Sequence, residues 1–282
     1  MRLGVTMFAT DQAMAIGDLA RAAEERGFSS LYVPEHTHIP TSRATPAPTG
    51  DAQLPDQYSR TLDPFVALTA AAAATGRLRV GTGIALVAQR DPIVTAKAVA
   101  TLDWLSGGRF TFGIGFGWNR EEMADHGVEY AKRRAIVRQK VLAMRRLWED
   151  DEASFTGEHV RVEPSWAWPK PVQRPRLPVL IGGAAGPKLF AHVVEYADGW
   201  IPIGGGGLTK ALPELRRTAE DAGRDPDELE VIPFGTIPEQ GKLDHYASLG
   251  ISEVVVRAPS ARAERVLPVL DEYAPFVVES SS

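Results

Sequence analysis

Short apolar runs alternate along the chain with longer stretches of helical period. Residues 3–7 predict a buried strand, 12–26 a helix closed by Gly27, and 30–33 a second strand. Asp63-Pro64 predicts a helix start, an N-cap followed by proline at the first helical position, running to Gly76. Asp91-Pro92 repeats that signal and opens a helix ending at Ser106-Gly107-Gly108, flanked by strands at 78–84 and 109–115. Residues 119–148 read as one long helical region with a break near Gly127. Strands at 178–181, 199–203, 229–234 and 251–257 then alternate with helices at 187–196, 209–223, 238–250 and 261–273.

The strands are short and β-rich, with little polar alternation, as in Leu177-Pro178-Val179-Leu180-Ile181 and Glu253-Val254-Val255-Val256. Strands covered on both faces point to a parallel sheet. About eight strand–helix units in one domain over 1–282 fit an α/β fold of the closed (β/α)8 TIM-barrel type. An open doubly wound sheet gives the same alternation, because periodicity does not report closure. Two insertions interrupt the pattern. Residues 37–60, rich in Pro, Thr and Ala, follow the second strand and would lie over a barrel's mouth. Residues 150–176 predict a small hairpin at 154–162, followed by Trp166 and Trp168; the tail, 279–282, is expected to fray.

Apolar residues make up 44% and charged residues 24%, enough for a large core and a wetted surface. The net charge of -5, from 31 basic and 36 acidic side chains, offers no positive stripe for a nucleic acid. With no cysteine, disulfides, thiolate metal sites and Cys nucleophiles are excluded. No apolar run approaches the roughly 20 residues that span a bilayer, and the start does not read as a signal peptide, so a soluble, cytoplasmic protein is expected.

In a barrel, chemistry gathers at the C-terminal strand ends, and five such ends stand out. The first is Glu35-His36-Thr37-His38. His36 and His38 have a metal-like spacing but lack a convincing third ligand, so no metal is expected; the alternatives are hydrogen-bonded ordering of the loop or a histidine that moves a proton near neutral pH. At Gly81-Thr82-Gly83-Ile84, glycines within a strand signal either close approach of a ligand or relief of crowding inside a barrel. Gly113-Ile114-Gly115-Phe116-Gly117-Trp118-Asn119 fails the dinucleotide fingerprint but suits a flat ring or an anion, and Asn119 also reads as an N-cap. Gly182-Gly183-Ala184-Ala185-Gly186 enters a helix and offers backbone N–H groups to a phosphate. The fifth is Asp198-Gly199-Trp200, leading to four glycines at 204–207. Neither a Walker lysine nor a serine-hydrolase elbow is present.

These stretches resemble the bacterial luciferase-like flavin/deazaflavin superfamily, and most of all its F420-dependent oxidoreductases. The resemblance is carried by Ala22-x-x-Glu25-x-Gly27-Phe28 through Pro34-Glu35-His36, by Leu105-Ser106-Gly107-Gly108-Arg109, by Gly113-x-Gly115-x-Gly117-Trp118-x-x-Glu121, by Pro178 to Gly183 and by Ala197-Asp198-Gly199-Trp200. It implies a barrel with coenzyme F420, or alternatively FMN, across its mouth. Glu35, Gly83, Ile84, Gly115, Gly117, Asn119, Gly182, Gly183 and Ala184 then fall at cofactor-binding positions. Gly83 and Ile84 fall where members carry a non-proline cis peptide. His36 falls at the histidine beside the ring, the expected catalytic residue, with Leu86 and Trp118 walling the substrate. Where some sugar-oxidising members carry a glutamate, this chain has Gly117. The implied activity is hydride transfer between F420 and a small organic substrate. A reduced-FMN monooxygenase using O2, or a barrel that binds cofactor or partner without catalysis, are the alternatives. A homodimer and a separate cofactor reductase complete the expected partners.

Overall fold

A computed structural model of the chain describes residues 1–47 and 53–277. Residues 48–52 of the first insertion and the tail expected to fray lie outside the described residues. The elements run β1 (Arg2–Thr6), α1 (Ile16–Glu25), β2 (Ser30–Val33), α2 (Pro64–Ala73), β3 (Arg79–Thr82), α3 (Pro92–Ser106), β4 (Phe110–Ile114), α4 (Arg120–Asp125) and α5 (Arg133–Glu149). They continue with β5 (Ala153–Thr156), β6 (Arg161–Ser165), β7 (Val179–Gly182), α6 (Pro187–Tyr196), β8 (Gly199–Ile201), α7 (Leu208–Asp221), β9 (Glu230–Val231), β10 (Phe234–Thr236), α8 (Gln240–Ser248), β11 (Glu253–Arg257) and α9 (Ala263–Tyr273).

Nine segments form one sheet in the order β10-β11-β1-β2-β3-β4-β7-β8-β9, and its pairings are parallel. The sheet closes because β9 pairs with β8 while β10 pairs with β11, and the two are halves of one strand broken at Ile232-Pro233. A bridge from Ile203 to Phe234 and the Phe234 N–H to the Pro202 carbonyl, 2.9 Å, continue that pairing. The nine segments therefore fill eight barrel positions, and the open-sheet alternative is set aside. The single strand expected at 229–234 is split because Pro233 has no N–H for the ladder. The helical region expected at 119–148 with a break near Gly127 is two helices, parted at 126–132 where Gly127 takes φ 70°. The predicted hairpin is the antiparallel pair β5–β6.

Local chemistry explains the helix starts. Asp63 accepts from the Phe65 and Val66 N–H groups at 2.9 and 3.1 Å, and Asp91 from Ile93 and Val94, both at 2.9 Å. Each cap of this kind is worth about 1 kcal/mol. The core has two parts. One lies between sheet and helices. The other fills the barrel itself with Tyr32, Leu180, Ile201, Ile232, Phe234 and Val255, and Ile84 packs on it from the mouth. The opposite end is plugged by ion pairs of Arg2 with Glu230 (3.1 Å) and Glu253 (3.3 Å). Among the described residues, no helix is long and apolar enough to cross a membrane.

Candidate active site at the barrel mouth

The β2 exit places two candidate side chains in sequence and sends them to different partners. Glu35 turns inward. Its Oε2 accepts the Leu86 N–H at 2.7 Å and its Oε1 accepts Arg90 Nε at 2.6 Å, while Arg90 also meets Asp63 at 2.7 Å. Glu35 thus ties the loop after β3 to the start of α2. His36, 8% exposed, faces α4 instead. Its Nδ1 lies 2.7 Å from Oε2 of Glu122, whose side chain is fully buried. An ionised carboxylate only accepts, so opposite ionised Glu122 the Nδ1 position is the donor of the ring and Nε2 is the nitrogen left for another partner. Thr61 pins the backbone on both sides: its hydroxyl donates to the His36 carbonyl at 2.7 Å and accepts the His36 N–H at 3.2 Å. Trp118 stands edge-on to the imidazole at 5.6 Å, and Tyr58, itself 4.7 Å from Phe8, lies at 5.4 Å.

The sequence reading gave Glu122 no role. Asn119 three residues ahead of a glutamate is the signature of a capping box, and Asn119 Oδ1 does accept the Glu122 N–H, at 3.4 Å. The Glu122 carboxylate, however, reaches across to His36 rather than back to Asn119. Helix capping and histidine orientation share one four-residue stretch.

The floor of the mouth is Ile84, joined to Gly83 by a cis peptide bond. Its side chain rises through space that glycines leave open. A Cβ on Gly115 would fall 1.7 Å from Ile84 Cδ1, and one on Gly182 would fall 2.8 Å from Ile84 Cγ2. A Cβ on Gly83 would meet the Phe234 ring at 2.2 Å, and one on Gly81 the Tyr32 ring at 2.3 Å. The relief-of-crowding reading therefore accounts for Gly81 and Gly83. Gly115 and Gly182, expected to approach a cofactor, make room for Ile84, which presents an apolar shelf to the mouth. Gly117 has φ 75°, and a Cβ there would strike Met123 Cε at 2.2 Å, so the turn into α4 requires glycine.

Between the β4 exit and α6 lies a buried polar cluster that the sequence reading missed. The Arg134 guanidinium stacks on the Phe116 ring at 4.3 Å, and Phe116 meets His192 of α6 at 5.0 Å, with Tyr196 a further 5.6 Å away. Arg134 Nη1, His192 Nδ1 and the Tyr196 hydroxyl are buried without a hydrogen-bond partner. Burial, and then the Arg134 charge, holds His192 below its ordinary range, and burial pushes the Tyr196 phenol up. The Arg134 Nη1 and Tyr196 hydroxyl donors, buried without an acceptor, are of a kind that fits an anion. Nearby in the fold, α6 begins at Gly186-Pro187 with no side-chain cap, preceded by the exposed Ala184 and Ala185. Trp200 Nε1 holds the Gly183 carbonyl at 2.8 Å.

Two other sequence landmarks lie away from the mouth. Asp198 precedes β8 at the barrel's N-terminal face, bonded to Arg145, Arg176 and the Val179 N–H. Arg109 of Leu-Ser-Gly-Gly-Arg braces the end of α2 through the Ala72, Thr75 and Leu78 carbonyls. Among the described residues no cluster suited to a metal is found, and His38 bonds Asp125 at the surface instead.

With this geometry in place, comparison with known proteins decides the family. A family model for luciferase-like monooxygenases matches residues 2–237. The chain belongs to this family. An uncharacterized protein of Mycobacterium tuberculosis is 44% identical over 277 residues, 97% of this chain and 98% of its own. A phthiodiolone/phenolphthiodiolone dimycocerosates ketoreductase of Mycobacterium kansasii is 33% identical over 225 residues, 75% of this chain and 59% of its own. Among solved structures, monooxygenase RslO1 of Streptomyces bottropensis superposes with TM-score 0.78 at 20% identity, covering 98% of each chain. An F420-dependent secondary alcohol dehydrogenase, in complex with an F420-acetone adduct, superposes with TM-score 0.77 at 17% identity, again over 98% of each chain. At these identities the structural likenesses establish the luciferase-like fold. The family is that of luciferase-like monooxygenases, and structures sharing this fold include an F420-dependent alcohol dehydrogenase and an FMN-bound Baeyer-Villiger monooxygenase.

Proposed function

We propose that this luciferase-like protein is an F420-dependent oxidoreductase that moves a hydride between the deazaflavin and a small alcohol or carbonyl substrate. The observation that carries the reading is His36 at the end of β2, its Nδ1 held by buried Glu122, which leaves Nε2 as the ring nitrogen for a substrate. An alcohol–carbonyl interconversion moves one hydride and one proton, and an oriented imidazole supplies the proton's acceptor or donor. When bound, the deazaflavin supplies hydride acceptance and donation at its C5; the protein supplies placement and a dry, shaped mouth.

The residues fit such a group. Ile84 would back its ring, and Arg134 and the loop of Gly182, Gly183 and Ala184 would hold its phosphate-bearing tail. Asn119 and Gly117 shape the turn that would flank the ring, and Glu35, which holds the Leu86 loop, would fix that loop beside it. Trp118 and Tyr58, which pack on His36, would wall the substrate. The likeness to a ketoreductase at 33% identity supports a carbonyl substrate.

The second reading is an FMN-dependent monooxygenase, favoured by the likeness to monooxygenase RslO1. Anaerobic turnover separates the two. Reduced F420 oxidised by ketones or enones without O2, and lost in His36→Ala, is the expected result; turnover with reduced FMN that requires O2 would replace the first reading by the second. A homodimer is the proposed assembly. Exposed Val66 on α2 and Val94 and Trp104 on neighbouring α3 offer an apolar face for it, and sedimentation equilibrium tests it.

A further inference from the structure

His36 is enclosed at the mouth, its ring walled by Tyr58 and Trp118. A substrate at Nε2 would cover that nitrogen, leaving the Nδ1 side for exchange of protons with water. That side continues to the surface. Glu122, which holds Nδ1 through Oε2, accepts the Thr37 N–H on Oε1 at 3.0 Å, with the Thr37 hydroxyl at 3.4 Å from the same oxygen. The hydroxyl lies 2.9 Å from His38 Nδ1 and 2.8 Å from His126 Nε2. His38 Nε2 in turn lies 2.9 Å from Asp125 Oδ2. His126 and Asp125 are exposed, and the His38 side chain is 40% exposed. The titratable groups hydrogen-bonded along this chain, among the described residues, are Glu122, Asp125 and the three histidines.

We infer that Thr37, with His38 and His126, is the port through which the buried His36–Glu122 pair exchanges protons with solvent. The inference rests on the reading of His36 as the group that moves the substrate's proton. In the oxidising direction, a substrate hydroxyl proton binds Nε2 as the Nδ1 proton passes to Glu122 Oε2. The neutral carboxyl turns about its Cγ–Cδ bond and gives this proton to the Thr37 oxygen. The Thr37 hydroxyl proton passes at the same time to a neutral surface imidazole. Glu122 is again a carboxylate, and the surface imidazolium releases one proton to water. One proton enters and one leaves. The ring is left as its Nε2–H tautomer and resets by exchange with water once the site opens. Reduction runs the same steps backwards. Histidine suits the outer position because its ordinary titration lies near neutral pH.

The test uses the full chain with ¹⁵N-labelled histidine and no cofactor or substrate, and reads exchange of the His36 Nδ1 proton with water. Thr37→Val keeps the β-branched shape without the hydroxyl and is expected to slow exchange about tenfold or more. Thr37→Ser restores the hydroxyl and is expected to return the rate to within about twofold of the native value. The double variant His38→Gln/His126→Gln is expected to slow exchange as Thr37→Val does. Native exchange in Thr37→Val, with the Nδ1 shift still reporting the Glu122 bond, overturns the port. In turnover, Thr37→Val is expected to lower kcat with KM unchanged, with rescue by added imidazole. Wild-type protein inactive with F420 would sink the hydride reading and leave the exchange result standing on its own.

Discussion

Replacing Glu122 by glutamine probes the orientation of His36 while hardly changing its volume. Glu122 is fully buried and makes two close bonds, to His36 Nδ1 at 2.7 Å and from the Thr37 N–H at 3.0 Å. The backbone N–H of Thr37 can only donate, so the glutamine must present its carbonyl oxygen there. Its NH2 group then faces His36 Nδ1, which has to become an acceptor. The imidazole proton moves to Nε2, and the nitrogen facing the substrate no longer accepts a proton. Loss of general acid–base assistance costs about 10²–10⁴ in rate. The lost charge-assisted bond removes about 1–3 kcal/mol of stability, which leaves a domain of this size folded. Steady-state kinetics of Glu122→Gln with saturating cofactor should show kcat reduced about a hundredfold or more, with cofactor affinity within about threefold of native. ¹⁵N shifts of His36 should report the exchanged tautomer. A kcat within about twofold of native would refute the assignment of Glu122 as the residue that positions His36.

Further outcomes follow from other parts of the structure. Arg134→Gln removes a guanidinium whose Nη1 lacks a hydrogen-bond partner from the proposed tail site and should weaken binding of a phosphate-bearing cofactor about tenfold to a hundredfold in an equilibrium titration. Gly183→Asp places a like charge beside that tail and should also weaken binding; unchanged affinity would move the tail elsewhere. A Cβ on Gly113 would lie 2.0 Å from the Thr82 carbonyl, a contact with backbone that cannot swing away; Gly113→Ala should cost about 3 kcal/mol or more by urea unfolding. His192 is held below its ordinary value of 6.5 by burial and by Arg134. The unfolded chain therefore binds more protons below that pH, and stability falls as the pH drops from 6.5 through the depressed folded value. His192→Phe should flatten this part of a stability–pH curve, and an unaltered slope would remove His192 as its source.

Much of the barrel was legible because each element carried its own local signal. Asp63-Pro64 and Asp91-Pro92 mark helix starts chemically, and the doubly apolar strands announce a sheet covered on both sides. Closure was not legible, since it depends on Ile232-Pro233 letting one strand pair with β8 and then with β11. The site was legible as far as backbone motifs reached. His36 and the glycine-rich exits could be located, but their contacts could not. Gly115 and Gly182 answer to the bulk of Ile84, a residue far from either in sequence. Glu122 carried no signal of its own, because the Asn119 cap that accepts its N–H already accounts for that stretch. Arg134 and His192 come from separate helices, and only packing against Phe116 brings them together.

The central claim is tested most directly by parallel equilibrium titrations of the protein with F420 and with FMN. The account predicts saturable, tight binding of F420 and weak or absent binding of FMN, with Arg134→Gln weakening the F420 isotherm. Tight binding of FMN alone would contradict it and direct attention to O2-coupled oxidation at the same mouth.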